Sequence, residues 1–196
     1  MKIAGNFLAA LSLIALGYWT FEFVRARLYQ AQEIRRFANG RQTDEASLED
    51  AAPRSGLHAA ERSKGSAIAM LAIPRLGLSA IVVEGAEERE LKLGPGHITG
   101  TSLPGAGGNV AIAGHRDTFF RPLRFIRRYD TIKLTTQGSE YLYKVITTTI
   151  VDPDDIKVLY PRDRETLTLV TCYPFNFVGS APKRFVVIAD RVHASE

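Results

Sequence analysis

From about position 66 onward the chain alternates short β-branched, apolar runs with turn residues, the pattern of half-buried or buried strands. "AIAMLAIP" and "SAIVVEG" predict two strands about the turn "PRLGL", and "NVAIAGH" predicts a buried strand ending at His115. "TIKLTT", "EYLYKVITTTIV", "TLTLVTC" and "RFVVIADRV" complete the strand set. Helix is scant. "EERELKLG", Glu87 to Gly94, predicts one short helix stopped by glycine, and "FFRPLRFI" predicts a helical turn. "DPDDIKVLY" predicts another, with an aspartate N-cap, and "GTSLPGAGG" reads as a loop. Seven or eight short strands without a βαβ rhythm, and without an internal repeat, predict an all-β domain built as a closed barrel or sandwich.

The amino terminus follows a different pattern. Ile3 to Phe21 contains no charged residue over 19 positions. As a helix it would span roughly 28 Å at about 1.5 Å per residue, close to a ~30 Å hydrocarbon core. Tyr18 and Trp19 stand near one end, where interfacial aromatics collect. These features predict a membrane anchor over residues 1–24. A cleaved signal peptide is the rival reading, with Lys2 as its basic region and Ala15-Leu16-Gly17 as its cleavage site. The apolar run continues past that site to Val24, which favours the anchor. Arg25, Arg27, Arg35 and Arg36 follow the segment and only Lys2 precedes it, so charge alone would keep the carboxy-terminal side in the cytoplasm. Residues 25–65 read as a stalk and flexible linker, the part from Thr43 onward being small, polar and free of aromatics. Residues 66–196 form the β domain.

Composition narrows the function classes. The 196 residues are 45% hydrophobic and 23% charged, as in a globular protein, and the net charge of +4 is dispersed without a long Lys/Arg run, which does not suggest nucleic-acid binding. A single cysteine allows no intramolecular disulfide. The acidic run Asp152 to Asp155 has ligand chemistry for calcium, but acids around a proline fit a turn and a helix cap better, and no metal is expected.

That one thiol, Cys172, ends the strand "TLTLVTC", just before Pro174, which cannot extend a central ladder. A lone cysteine is commonly a small buried apolar residue; it becomes a nucleophile when a base or a cation lies beside it. Of four histidines, His58 lies in the linker and His193 at the carboxy-terminal end, while His97 follows "GPG" in a loop and suits a loop hydrogen bond. His115 ends a strand, where a side chain reaches the rim of a barrel. Arg184 opens the last strand, and if that strand pairs with the cysteine strand across "YPFNFVGSAPK", Arg184 falls opposite Cys172. Side chains alternate faces, so Lys183 and Arg184 cannot both point at the thiol, and spacing leaves open which one does. Thr171 points away from Cys172, and Leu167 and Leu169 share its face, which fits core packing. Asp117, two residues after His115, either caps the loop or orients the imidazole. Structural roles for all of these remain open on pattern alone.

The run "TLVTC", Thr168 to Cys172, resembles the TLxTC signature of sortases, the membrane-anchored cysteine transpeptidases of bacterial surfaces. "IPRLGL", "VEGA", "LKLGPGHITGTSLPGAGGNVAIAGHRDTFFRPL", "LTLVTCYPF" and "SAPKRFVVIA" follow in the family's order from about Ala67 to Val192, with "GNVAIAGHRDTFF" most similar to class D. The resemblance implies a closed eight-stranded β-barrel with short helices, an amino-terminal transmembrane helix, and a catalytic domain on the extracytoplasmic side of the membrane. It implies Cys172 as nucleophile, His115 as general acid/base and Arg184 as the transition-state cation, with Leu169 and Thr171 belonging to the signature. It further implies cleavage of an LPxTG-like sorting signal after its threonine, transfer to an amine of a cell-wall precursor or a pilin lysine, and no cofactor. A non-catalytic peptide-binding barrel and a cysteine hydrolase without transfer activity are the alternatives.

Overall fold

The computed structural model describes residues 13, 14, 16–18, 20, 21, 24–36 and 63–192. Eight strands lie in chain order: β1 (Ala67–Ile73), β2 (Leu78–Glu84), β3 (Gly96–His97), β4 (Asn109–Gly114), β5 (Thr131–Thr135), β6 (Glu140–Val151), β7 (Thr166–Tyr173) and β8 (Lys183–Val192). They close into one barrel in the order β1-β2-β3-β4-β7-β8-β6-β5. The β2–β3 and β4–β7 pairs are parallel and the others antiparallel. Seven of the strands match the apolar runs of the sequence. The eighth, β3, is two residues long inside what reads as a loop, too short to show a period, yet it bridges β2 to β4.

Alternate residues of each strand fill the barrel, as a period of two requires. Leu71, Val82, Ile112, Leu134, Val145 and Leu169 meet there, each 0–1% exposed. The helical turns fall where the sequence places them: Glu88–Leu91 forms a short helix, Arg121–Phe125 and Ile156–Leu159 form 3-10 turns, and the Asp155 carboxylate accepts the Lys157 N–H as the cap of the last. The segment after β4 is braced from below. Phe120 and Leu123 are fully buried in the core, and Arg75 donates from Nε and Nη2 to the two oxygens of Asp130, each at 2.5 Å, and to Phe125 O at 2.6 Å. The Arg75 guanidinium holds the Asp130 carboxyl below the usual carboxylate range, so this brace stays ionised into mild acid.

Before the barrel, residues 24–36 form a helix, α1, with the helix at Glu88–Leu91 as α2. Within the stretch read as a stalk, α1 lies against the barrel. Gln30, 6% exposed, donates from Nε2 to Ile81 O (3.1 Å) and Leu93 O (2.8 Å), and its Oε1 accepts from Ile81 N–H (2.6 Å). The Tyr29 hydroxyl adds a bond to Gly65 O at 3.0 Å. The amide thus pairs with both backbone groups of Ile81 as a neighbouring strand would. Position 94 has to be glycine for this, because a Cβ there would stand 2.4 Å from Gln30 Nε2 and 2.6 Å from Ile81 O. Gln30→Ala leaves Ile81 N–H buried without its partner, and a loss of about 1–3 kcal/mol is expected. Urea unfolding of the full chain in neutral detergent checks this; an unchanged midpoint would contradict the docking. Most of the predicted anchor at 1–24, and the linker as far as residue 62, lie outside the described residues. Among the described residues no helix is long and apolar enough to cross a membrane.

Candidate active site

Cys172 stands at the end of β7, directly opposite Arg184 at the start of β8. Directly opposed residues of an antiparallel pair leave the sheet on the same face. On the other side of β7, the parallel register with β4 runs from Asn109–Thr166 to Gly114–Thr171. His115 follows Gly114, the last residue of β4, as Cys172 follows Thr171, its partner on β7. Three residues separated by up to 69 positions are thereby gathered at the end of three adjacent strands. Cys172, His115 and Arg184 are each half-buried, and the thiol is free.

The face is the outer one. Leu167, Leu169 and Thr171 alternate into the interior at 0%, 0% and 2% exposure, which turns Thr168, Val170 and Cys172 outward. The expected position at the barrel's lip is thus refined to the outer surface of the sheet at one end of the barrel. Along that surface the β6–β7 connection crosses at Asn109, whose Nδ2 donates to Val158 O (3.1 Å) and Tyr160 O (3.3 Å) and whose Oδ1 accepts from Thr168 Oγ1 (2.8 Å). Beyond this crossing Ala113, Val170 and Cys172 remain partly open, a shallow floor of small side chains leading to the thiol.

Several contacts set the geometry of the two strand ends. The Thr171 hydroxyl donates to Gly114 O at 2.7 Å, tying the residue before Cys172 to the residue before His115. Gly114 admits the Phe120 ring against its α-carbon, where a Cβ would meet Phe120 Cδ2 at 2.7 Å. The Phe120 N–H donates to His115 O at 3.0 Å and closes the turn that carries the imidazole. Tyr173, Phe175 and Phe185 form an aromatic trio at the root of the β7–β8 loop, with ring centroids 5.3–6.4 Å apart.

The choice left open between Lys183 and Arg184 follows from the register. Lys183 lies opposite Tyr173, and its Nζ is ion-paired with Asp152 Oδ1 at 2.6 Å. Arg184 Nη1 donates to Ala181 O (3.2 Å) and Lys183 O (3.0 Å), so its guanidinium rests on carbonyls at the end of the β7–β8 loop and the start of β8. Asp152 and Asp155, from the acidic run, are occupied by Lys183 and by the turn cap.

Two other sequence candidates do not join this group. His97 sits in β3 at 2% exposure, its Nδ1 2.9 Å from Glu84 Oε2 and its Nε2 3.1 Å from both Ser102 O and Thr101 Oγ1, while Thr99 donates to the same Glu84 carboxylate at 2.8 Å. It is a buried network residue rather than a loop residue, and none of these bonds reaches Cys172 or His115. Asp117 is exposed, and among the described residues no hydrogen bond ties it to His115.

Arg116 is a residue that the sequence reading passed over. Its Nη2 donates to Phe177 O (2.7 Å) and Gly179 O (3.0 Å), its guanidinium stands 5.9 Å from the Phe177 ring centroid, and its Nη1 is buried without a partner among the described residues. The available signal was its place directly after His115, facing a loop that carries exposed Phe177 and Val178.

The Sortase domain family model matches residues 71–192. Sortase D of Bacillus subtilis is 29% identical over 195 residues, covering 97% of this chain and 98% of that protein. Sortase A of Bacillus anthracis is 29% identical over 137 residues, 68% of this chain and 63% of that protein. Among solved structures, a Clostridium perfringens sortase D5 transpeptidase matches with a TM-score of 0.66 at 26% identity, over 85% of this chain and 98% of that one. Sortase A from Corynebacterium diphtheriae matches with a TM-score of 0.63 at 26% identity, over 81% and 83%.

Proposed function

This chain belongs to the sortase family and is a cysteine transpeptidase that anchors or joins surface proteins, and from that membership we propose that Cys172, His115 and Arg184 carry the reaction. The observation that supports this reading is the strand register, which pairs Cys172 with Arg184 and pairs the residue before Cys172 with the residue before His115. As a thiolate, Cys172 Sγ attacks the scissile carbonyl, and the carbonyl electrons move onto oxygen. Arg184 meets that oxyanion with N–H donors whose hold strengthens as charge develops. The tetrahedral centre collapses, the C–N bond breaks, and imidazolium at His115 gives its proton to the departing amine. The thioester is then attacked by an acceptor amine, His115 takes the amine's proton, and the new amide leaves with Cys172 as thiolate again. Thr171 and Leu169 shape the site: the first ties the two strand ends together, the second packs the core beneath them.

The substrate is an LPxTG-like sorting signal, lying extended along Ala113 and Val170 with its threonine carbonyl at the thiol. The acceptor is an amine of a cell-wall precursor or a pilin lysine. The apolar amino-terminal segment holds the enzyme in the membrane, with the barrel outside the cell. The test incubates the full chain, in neutral detergent, with a panel of sorting-signal peptides with and without an amine, and reads products by mass. Ligated product with amine and free acid without it are expected. Product formation that survives alkylation of Cys172 would overturn the reading.

A further inference from the structure

We propose that Arg116 is a positioning residue that sets the Arg184 guanidinium through the β7–β8 loop; this rests on the transition-state role given to Arg184 above. The loop, residues 174–182, joins the strand that ends in the nucleophile to the strand that opens with the cation. Its root is held by the aromatic trio Tyr173, Phe175 and Phe185. Its outer part is held from across the site by Arg116, which grips the carbonyls of Phe177 and Gly179 with one nitrogen. Two residues further on, Ala181 offers its carbonyl to Arg184 Nη1, and Lys183 offers a second. A chain of contacts therefore runs from the residue after the imidazole, across the loop, to the guanidinium opposite the thiol.

Arg184 Nη1 is taken by Ala181 O and Lys183 O, which leaves Nε and Nη2 to meet an oxyanion, so where the loop places Ala181 decides how those donors face the substrate. Gly179, whose carbonyl Arg116 holds, has φ +95°, a left-handed conformation that glycine adopts without steric cost. With Arg116 in place the 177–179 segment is pinned and Ala181 has one position. Without it the loop moves about the aromatic root, and Arg184 follows a moving acceptor. A guanidinium serving only as surface decoration would turn both terminal nitrogens to water, whereas Arg116 keeps Nη1 buried.

The test uses the full chain with a sorting-signal peptide that it cleaves. Arg116→Ala is expected to lower kcat by roughly 10- to 100-fold, the scale of a small misplacement at a reacting centre, with KM changed less than about twofold. Arg116→Lys fails to restore kcat, because an ammonium does not reproduce the planar fork, and amide exchange at residues 179–181 rises in both variants. In an Arg184→Ala background Arg116→Ala costs no further kcat, since the two act through one group. Should Arg116→Ala fold poorly, Arg116→Lys alone decides. Wild-type kcat in the folded Lys variant overturns the proposal, as does full additivity of Arg116→Ala with Arg184→Ala. If Arg184→Ala itself leaves kcat intact, the fault lies in the role given to Arg184, which separates the two failures.

Discussion

Alanine at position 172 is expected to end catalysis while leaving the barrel standing. The chain has one cysteine, so no second thiol can take over the acyl group. Removing a nucleophile that works with a positioned base commonly costs on the order of 10⁶ in kcat. Stability should hardly move, because Cys172 faces outward and half-buried, whereas the core on that strand is made by Leu167 and Leu169 and its neighbour Thr171 keeps the bond to Gly114. Intact mass after incubation with a sorting-signal peptide gives the check: an acyl adduct on the native chain and none on Cys172→Ala. Cleavage at an undiminished rate in the variant would mean that the thiol is structural and the chemistry lies elsewhere.

How much of this was legible before the structure depends on the range of the interaction concerned. Strands of five or more residues announce themselves by period, so seven of the eight were readable; the short helix was readable too, though it ends at Leu91 rather than at Gly94, and the aspartate cap was readable from local chemistry. The two-residue β3 carries no period, and the closure it allows depends on the parallel β2–β3 pair, a pairing no local pattern encodes. That the end of β7 meets the start of β8 was visible because one loop joins the strands; the choice of Arg184 over Lys183 was not, because it turns on the register across that loop, which sets Arg184 opposite Cys172 and Lys183 opposite Tyr173. His97 shows the reverse case. A glycine-rich approach suggested a loop, but Glu84, from a strand 13 residues earlier, supplies the carboxylate that buries it. Gln30 and Arg116 share one reason for escaping notice: their hydrogen-bond partners are main-chain groups, which no sequence pattern marks.

Arg184→Ala is the second large effect expected, a fall of about 10²–10³ in kcat, the usual cost of one oxyanion donor. Among the described residues the side chain's hydrogen bonds run to Ala181 O and Lys183 O, both within three positions of it in sequence, so their loss frees no distant part of the barrel and the fold should persist. Peptide affinity should change little, because the guanidinium's contact gains its strength as negative charge appears on oxygen, after binding. Arg184→Lys recovers little, since a single ammonium lacks the planar pair of donors. Hydrolysis and transfer pass through oxyanions at the same place, one when the thioester forms and one when it is consumed. The ratio of ligated product to free acid should therefore stay as in the native enzyme while both rates fall. Steady-state kinetics at several amine concentrations measure the two together. A rise in KM that accounts for the whole loss would make Arg184 a binding residue for the peptide; a shifted ratio of products at unchanged total rate would make it a gate for the acceptor amine.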